Sequence, residues 1–262
     1  MGGVGEFVQR TPLAALALLL LVAMIAAREL GGLAHRVLTR RGMRAADADG
    51  TDEGYILSAV LGLLALLVAF TFSLALNRFE ERRTLVVAEA NALGTAWLRT
   101  SLVDAPAPLR TALRAYARER LAFGLSDGAD EIAAEARADA LQPQVWDQAL
   151  AAVRPYRTTA LAGLVLDPIN QAFDLAGSRH AALAARLPAT VLGALCLYAL
   201  ASAGVLGYAM SGAGARHRIA SMVMFALVVL AISLILDLDR PRDGAIRVPQ
   251  GAMTDALRAM GG

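Results

Sequence analysis

The sequence predicts an all-α integral membrane protein, with four transmembrane helices and a helical insertion between the second and third. Three observations carry this expectation. The 262-residue chain is 57% hydrophobic with a mean hydropathy of +0.52, too apolar for an ordinary soluble domain. Four stretches approach or reach the roughly 17–25 mostly apolar residues that a spanning helix needs. The polar remainder is gathered in one block rich in Ala, Leu, Arg and Glu, residues 77–187, with few alternating β-branched runs.

The first span, Thr11 to Ala27, is short and follows a single Arg10. Ala26-Ala27 before Arg28 also fits the end of a signal peptide, but cleavage there would leave three spans, so a retained helix is the expectation. Gly54 to Leu76 is uncharged throughout. Pro188 to Gly214 is uncharged as well, and Pro188 suits a first helical turn. Ile219 to Leu236 closes the set and runs into Asp237 and Asp239.

Within the insertion, helices are expected at 77–103, 108–124, 129–152 and 157–186, punctuated by Pro106, Pro108, Pro143, Pro155 and Pro168. Asp104-Ala-Pro-Ala-Pro is a break in which Asp104 would cap the next helix. Ser126-Asp-Gly is another. Pro241 stops the fourth span, and Ala252 to Met260 forms a short amphipathic helix. The chain thus divides into residues 1–53 (first span and loop), 54–103 (second span and its extension), 104–187 (helical region) and 188–262 (last two spans and tail).

An even number of spans puts both termini and the insertion on one side. Arg10, Arg78, Arg82, Arg83, Arg179, Arg186, Arg240, Arg242 and Arg247 flank the spans there, against Arg28, Arg36, Arg40, Arg41, Arg44, Arg216 and Arg218 opposite. The positive-inside rule leans towards a cytoplasmic insertion. All 25 basic residues are Arg and the chain is rich in Ala, as in GC-rich bacterial genomes, so the membrane is read as a bacterial inner membrane.

Several classes are set aside. The arginines are spread along the chain and interleaved with 23 acidic residues, which argues against nucleic acid. The lone Cys196 excludes an intrachain disulfide. His35, His180 and His217 form no metal pair, and no catalytic or nucleotide motif is present, so neither an enzyme nor a cofactor is expected. Asp167, Asp174 and His180 are the nearest approach to an acid–histidine group and are read as a cap and solvated residues.

The most informative stretch leaves the second span without a helix breaker. Ser73, Asn77, Glu81, Thr84, Ala88, Asn91 and Thr95 recur at steps of three and four, one stripe of small and polar groups crossing the membrane boundary. Leu85, Val86, Ala90, Leu93 and Trp97 form a second, packing face. Copies of the stripe around an axis would line a lumen, with Phe70 and the leucines above it (Leu63, Leu66, Leu67) as an apolar neck. The same stripe also suits close helix–helix packing. Arg78-Phe-Glu-Glu-Arg-Arg has two readings as well: an exit from the membrane, or a headgroup-level belt with Glu81 paired to Arg78. Asp237 and Asp239 end a helix whose dipole disfavours acids. Arg78, Arg82, Arg83 and Arg240 are therefore expected to join them in a clamp at the membrane exit.

The stretches "LLVAFTFSLALNRFEERR", "EANALGTAWLR", "LRAYARER" and "LDLDRPRDGAIRV" resemble the bestrophin-like family of uncharacterised bacterial membrane proteins, over nearly the whole chain. That resemblance, and a remoter one to bestrophin channels, implies a pentamer around an axial pore lined by the second helix and conducting inorganic ions. It matches Phe70 and Phe72 to the aromatic neck and Arg78 to the exit arginine. The sequence departs from the eukaryotic pattern after the last span, where Asp237, Asp239 and Asp243 are interleaved with Arg240 and Arg242 instead of forming an acidic calcium clasp. Asp47-Ala-Asp-Gly-Thr-Asp-Glu also fails as a calcium loop. The expected function is an oligomeric channel of open selectivity in the lipid bilayer. The alternative is a non-conducting sensor or scaffold whose cytoplasmic helices bind a partner. A transporter fits less well, since no internal repeat or broken helix is evident.

Overall fold

The computed structural model describes residues 11–41, 50–211, 215–242 and 244–261. Eight α-helices run through them: α1 (Leu13–Arg40), α2 (Gly50–Arg99), α3 (Ala107–Leu125), α4 (Gly128–Val153), α5 (Ala160–Ala184), α6 (Ala189–Ala209), α7 (Ala215–Asp239) and α8 (Gly251–Ala259). Strands are absent among the described residues. Among the described residues four helical stretches are long and apolar enough to cross a membrane, and the protein is a multi-pass membrane protein. Residues 47–49 of the acidic run that begins at Asp47, and Asp243, lie outside the described residues.

Two compact units result, Met1–Asn77 with Arg186–Arg240, and Arg78–Ala185 with Pro241–Gly262. In the first, α1 continues past Ala27 to Arg40, because nothing in Arg28-Glu-Leu-Gly-Gly-Leu breaks a helix that another helix supports. Arg28, 8% exposed, pairs with Glu29 at 2.6 Å. The support is α6, packed on α1 through glycines. A Cβ at Gly31 would overlap the Gly204 carbonyl, and one at Gly207 would overlap the Arg28 carbonyl. Small residues let membrane helices approach this closely, and Met24 and Ala203 are fully buried beside the seam. Outward faces are apolar: Leu18, Leu19, Val22, Leu197, Leu227 and Leu230 are each more than half exposed, as suits lipid contact. Thr71, Ser202 and Ser233 satisfy their hydroxyls on carbonyls one turn back.

The second unit has a soluble-type core. Leu93 and Ala96 of α2, Leu109 and Leu113 of α3, Val145 and Ala149 of α4, Ile169 and Ala172 of α5 and Met253 of α8 are buried together. Each fully buried large side chain of this kind contributes about 1.5–3 kcal/mol. Helix α8 docks on α3, with the Arg114 guanidinium donating to the Met260 carbonyl. Gly128 takes a positive φ of 58° in the Ser126-Asp-Gly break.

Three local expectations are corrected. Asp104 does not cap α3. Its carboxylate accepts the Tyr156 hydroxyl at 2.6 Å, and Pro106 occupies the cap position. Pro143 and Pro168 do not punctuate, since both lie inside helices. Asp167, beside Pro168 within α5, is therefore no cap. A proline leaves the carbonyl four residues earlier without its helical donor. For Pro168 that carbonyl is Leu164, and Arg99 supplies the missing donor at 2.7 Å. The acid–histidine group does not assemble, because His180 pairs with Glu135 at 2.5 Å while Asp174 accepts from Asn170.

Candidate functional site

Helix α2 is unbroken for 50 residues, about 75 Å at 1.5 Å per residue. Most of its buried residues, among them Thr71, Ala75, Arg82, Val86, Glu89, Leu93 and Ala96, follow one row. At 3.6 residues per turn the stripe of Ser73, Asn77, Glu81, Thr84 and Asn91 lies roughly 150° away from them. All five stripe residues are exposed, and Ala88 and Thr95 are half-buried. Phe70, 65% exposed, continues the stripe towards the membrane, as do Leu63 and Leu66. Phe72 is exposed but falls on a different side of the helix. Of the packing face, Val86, Ala90 and Leu93 are buried, Leu85 is half-buried, and Trp97 is half-buried beneath Arg110 and Arg114 at 5.1 and 5.3 Å.

Within the charged belt Arg83 pairs with Glu80 at 3.3 Å. Glu81 has no ion-pair partner among the described residues, and the Ser73 hydroxyl finds no acceptor there. Arg82 turns inward, donating Nε to the Ala182 carbonyl at 3.0 Å and Nη2 to the Ala185 carbonyl at 2.8 Å. A guanidinium there satisfies the last carbonyls of α5 and complements the helix dipole. Arg78 is half-buried with an unbonded Nε. In the first unit, the buried Asp239 accepts the Leu187 amide at 2.8 Å, and its own carbonyl accepts from Arg186. Arg240 donates to the Thr11 carbonyl at 3.0 Å, and Asp237 is 5% exposed.

A buried network on the other side of α2 was not expected from the sequence. Glu89, fully buried, accepts Arg120 Nε at 2.5 Å on one carboxylate oxygen and Arg179 Nη1 on the other. Arg120, Arg179 and Arg242 then surround the Phe123 ring at 4.7, 5.5 and 4.9 Å from its centroid. Burial opposes the charge of both Glu89-bound arginines. Arg120 is nonetheless held above the usual arginine value by Glu89, whereas Arg179, burdened also by Arg120 and Arg242, falls below it. The signal was present in the sequence: Glu89 is the lone acid on the row Val86, Ala90, Leu93 and Ala96.

Tyr116 sits beside this network, fully buried, edge-on to Phe173, with no partner for its hydroxyl among the described residues. Burial pushes its ionisation well above the ordinary 10.0. The folded state therefore keeps a proton that the unfolded chain releases, so stability is lost as pH rises past about 10. Tyr116→Phe removes both that loss and an unsatisfied buried hydroxyl. Thermal melts should show a gain of about 1 kcal/mol at neutral pH and a shallower alkaline decline.

A Bestrophin-like domain model matches residues 21–253. No curated protein matches the chain significantly in sequence. Crystal structures of a bacterial bestrophin homolog from Klebsiella pneumoniae share its fold. One with a Leu-to-Thr mutation superposes with a TM-score of 0.70 at 15% identity, covering 93% of this chain and 97% of that one. A Trp-to-Ala mutant gives 0.71 at 15% identity, covering 96% and 97%. A structure phased on zinc gives 0.68 at 14% identity, covering 93% and 96%.

Proposed function

We propose that this chain, which belongs to the Bestrophin-like family, is a homo-oligomeric ion channel of a bacterial inner membrane. The exposed row on α2 would line its pathway. One observation carries this reading: the polar row turns away from its own subunit's buried face along a helix that continues past its apolar stretch. Hydrocarbon offers Ser73 and Asn77 no partners, so such a row needs water or protein against it. Copies arranged about an axis, five by resemblance to bestrophins, supply both at once. The insertion and the termini then face the cytoplasm.

In this arrangement Leu63, Leu66 and Phe70 form an apolar neck, with Phe70 the constriction, and such rings gate by excluding water. Ser73, Asn77, Glu81, Thr84 and Asn91 form the vestibule below. A ring of Glu81 carboxylates raises the local cation concentration at the mouth. Arg82, anchored on α5, keeps its charge out of the row, and Arg83 is offset by Glu80. Within the first unit, Asp239 and Arg240 hold the end of α7, through the Leu187 amide and the Thr11 carbonyl.

Planar-bilayer recording in asymmetric KCl tests the reading. Glu81→Gln should move the reversal potential towards lower cation preference, and Phe70→Ala should raise unitary conductance. Silence from intact oligomer, or a reversal potential indifferent to Glu81, would replace the channel with the scaffold reading.

A further inference from the structure

A small pocket within the second unit has no part in the conduction reading. Its volume is about 30 Å³, roughly twice the ~10–15 Å³ that one water requires. That admits a compact oxyanion and excludes a nucleoside. Arg179, Arg242 and Arg247 stand in its wall with Gln250, alongside Arg82 and, among the described residues, one lining carboxylate, Asp127.

The charges around the pocket are not evenly matched. Arg242 Nη2 pairs with Glu131 at 3.0 Å, and Arg247 pairs with Asp127 at 3.1 Å. Arg120 and Arg179 share one carboxylate, Glu89. The shortfall falls on Arg179, which lines the pocket and whose guanidinium is held below the ordinary arginine value by burial, Arg120 and Arg242. A second observation is independent of that charge count: Arg242 Nε is buried with no acceptor among the described residues, and a buried donor left so carries its full desolvation cost. Gln250 is oriented by its own bonds, with Nε2 donating to the Val248 carbonyl and Oε1 accepting from Arg179 Nη2 at 3.2 Å. It can lie there because residue 124 is glycine, where a Cβ would overlap the Gln250 amide.

We propose that this pocket binds a phosphate-class oxyanion, held by the guanidinium groups of Arg179, Arg242 and Arg247. Planar guanidinium groups suit the bidentate binding of tetrahedral oxyanions. The rim, with the Arg247 and Asp127 side chains 55% and 45% exposed, admits either free phosphate or the terminal phosphate of a larger molecule.

Isothermal titration of the full-length protein in detergent tests the site. Inorganic phosphate and ATP are titrated separately, each against chloride of equal ionic strength. Saturable phosphate binding is expected, weakened about tenfold or more by Arg242→Gln and by Arg247→Gln. Arg137→Gln, which alters an exposed arginine paired with Glu119 outside the pocket, should leave it unchanged. Phosphate binding without ATP binding identifies the free ion as ligand, and comparable binding of both identifies the phosphoryl group. Absence of phosphate binding, or equal weakening by Arg137→Gln and Arg247→Gln, overturns the site. Arg247 is at the rim and tests the proposal even if Arg242→Gln fails to fold.

Discussion

Glu89→Ala destabilises the second unit by about 3–5 kcal/mol, the cost of leaving a buried charge without its partner. Two guanidinium groups, Arg120 at 1% exposure and Arg179 at 4%, depend on that one carboxylate. Neither can turn to water without unpacking the helix that carries it, because Arg120 lies on α3 and Arg179 on α5. Loss of Glu89 would therefore loosen α2, α3 and α5 together. Thermal melts and limited trypsinolysis of detergent-purified protein read the effect, since newly exposed arginines become cleavage sites. Glu81→Gln, on the exposed side of the same helix, is the control and should melt within about 0.5 kcal/mol of wild type. A Glu89→Ala protein as stable as that control would mean that the arginines find other partners and that the network is not structural.

Gly207→Val separates α1 from α6. The nearest atom to the added Cβ is the Arg28 carbonyl oxygen, with its carbon and Cα close behind, so backbone meets backbone and no rotamer relieves the overlap. Overpacking typically costs about 1–3 kcal/mol where side chains can shift, and here the helix axes themselves must move apart. The buried Met24 seam should open with them. Loss of monodisperse protein in size-exclusion chromatography, or a cysteine pair engineered across α1 and α6 that no longer crosslinks, would report the separation. Gly193→Val is the matched control, because a Cβ there meets nothing within 4 Å.

Much of the fold was legible in the sequence because it rests on local rules. Span length, apolar runs and helix breakers placed the helices of the insertion close to Ala107–Leu125, Gly128–Val153 and Ala160–Ala184. The stripe on α2 was legible because helical spacing alone puts Ser73, Asn77, Glu81, Thr84 and Asn91 on one side. The misreadings share a cause. Asp104 looked like a cap in its own segment, yet it accepts from Tyr156, 52 residues away. Pro168 looked like punctuation, yet it lies inside a helix where Arg99 satisfies the carbonyl it leaves without a donor. Polar groups settle on the best available partner, and sequence proximity does not disclose partners that come from another helix.

By itself, then, the sequence determined the helix inventory, the membrane-spanning segments and the direction each side chain takes from its helix, because periodicity and breakers act within a few residues. Only the tertiary structure decided which side of α2 is buried, which acid would be shared by two arginines, and where guanidinium groups would converge around Phe123. Those outcomes depend on the helices that pack against α2, and burial and charge compensation exist only once they have met.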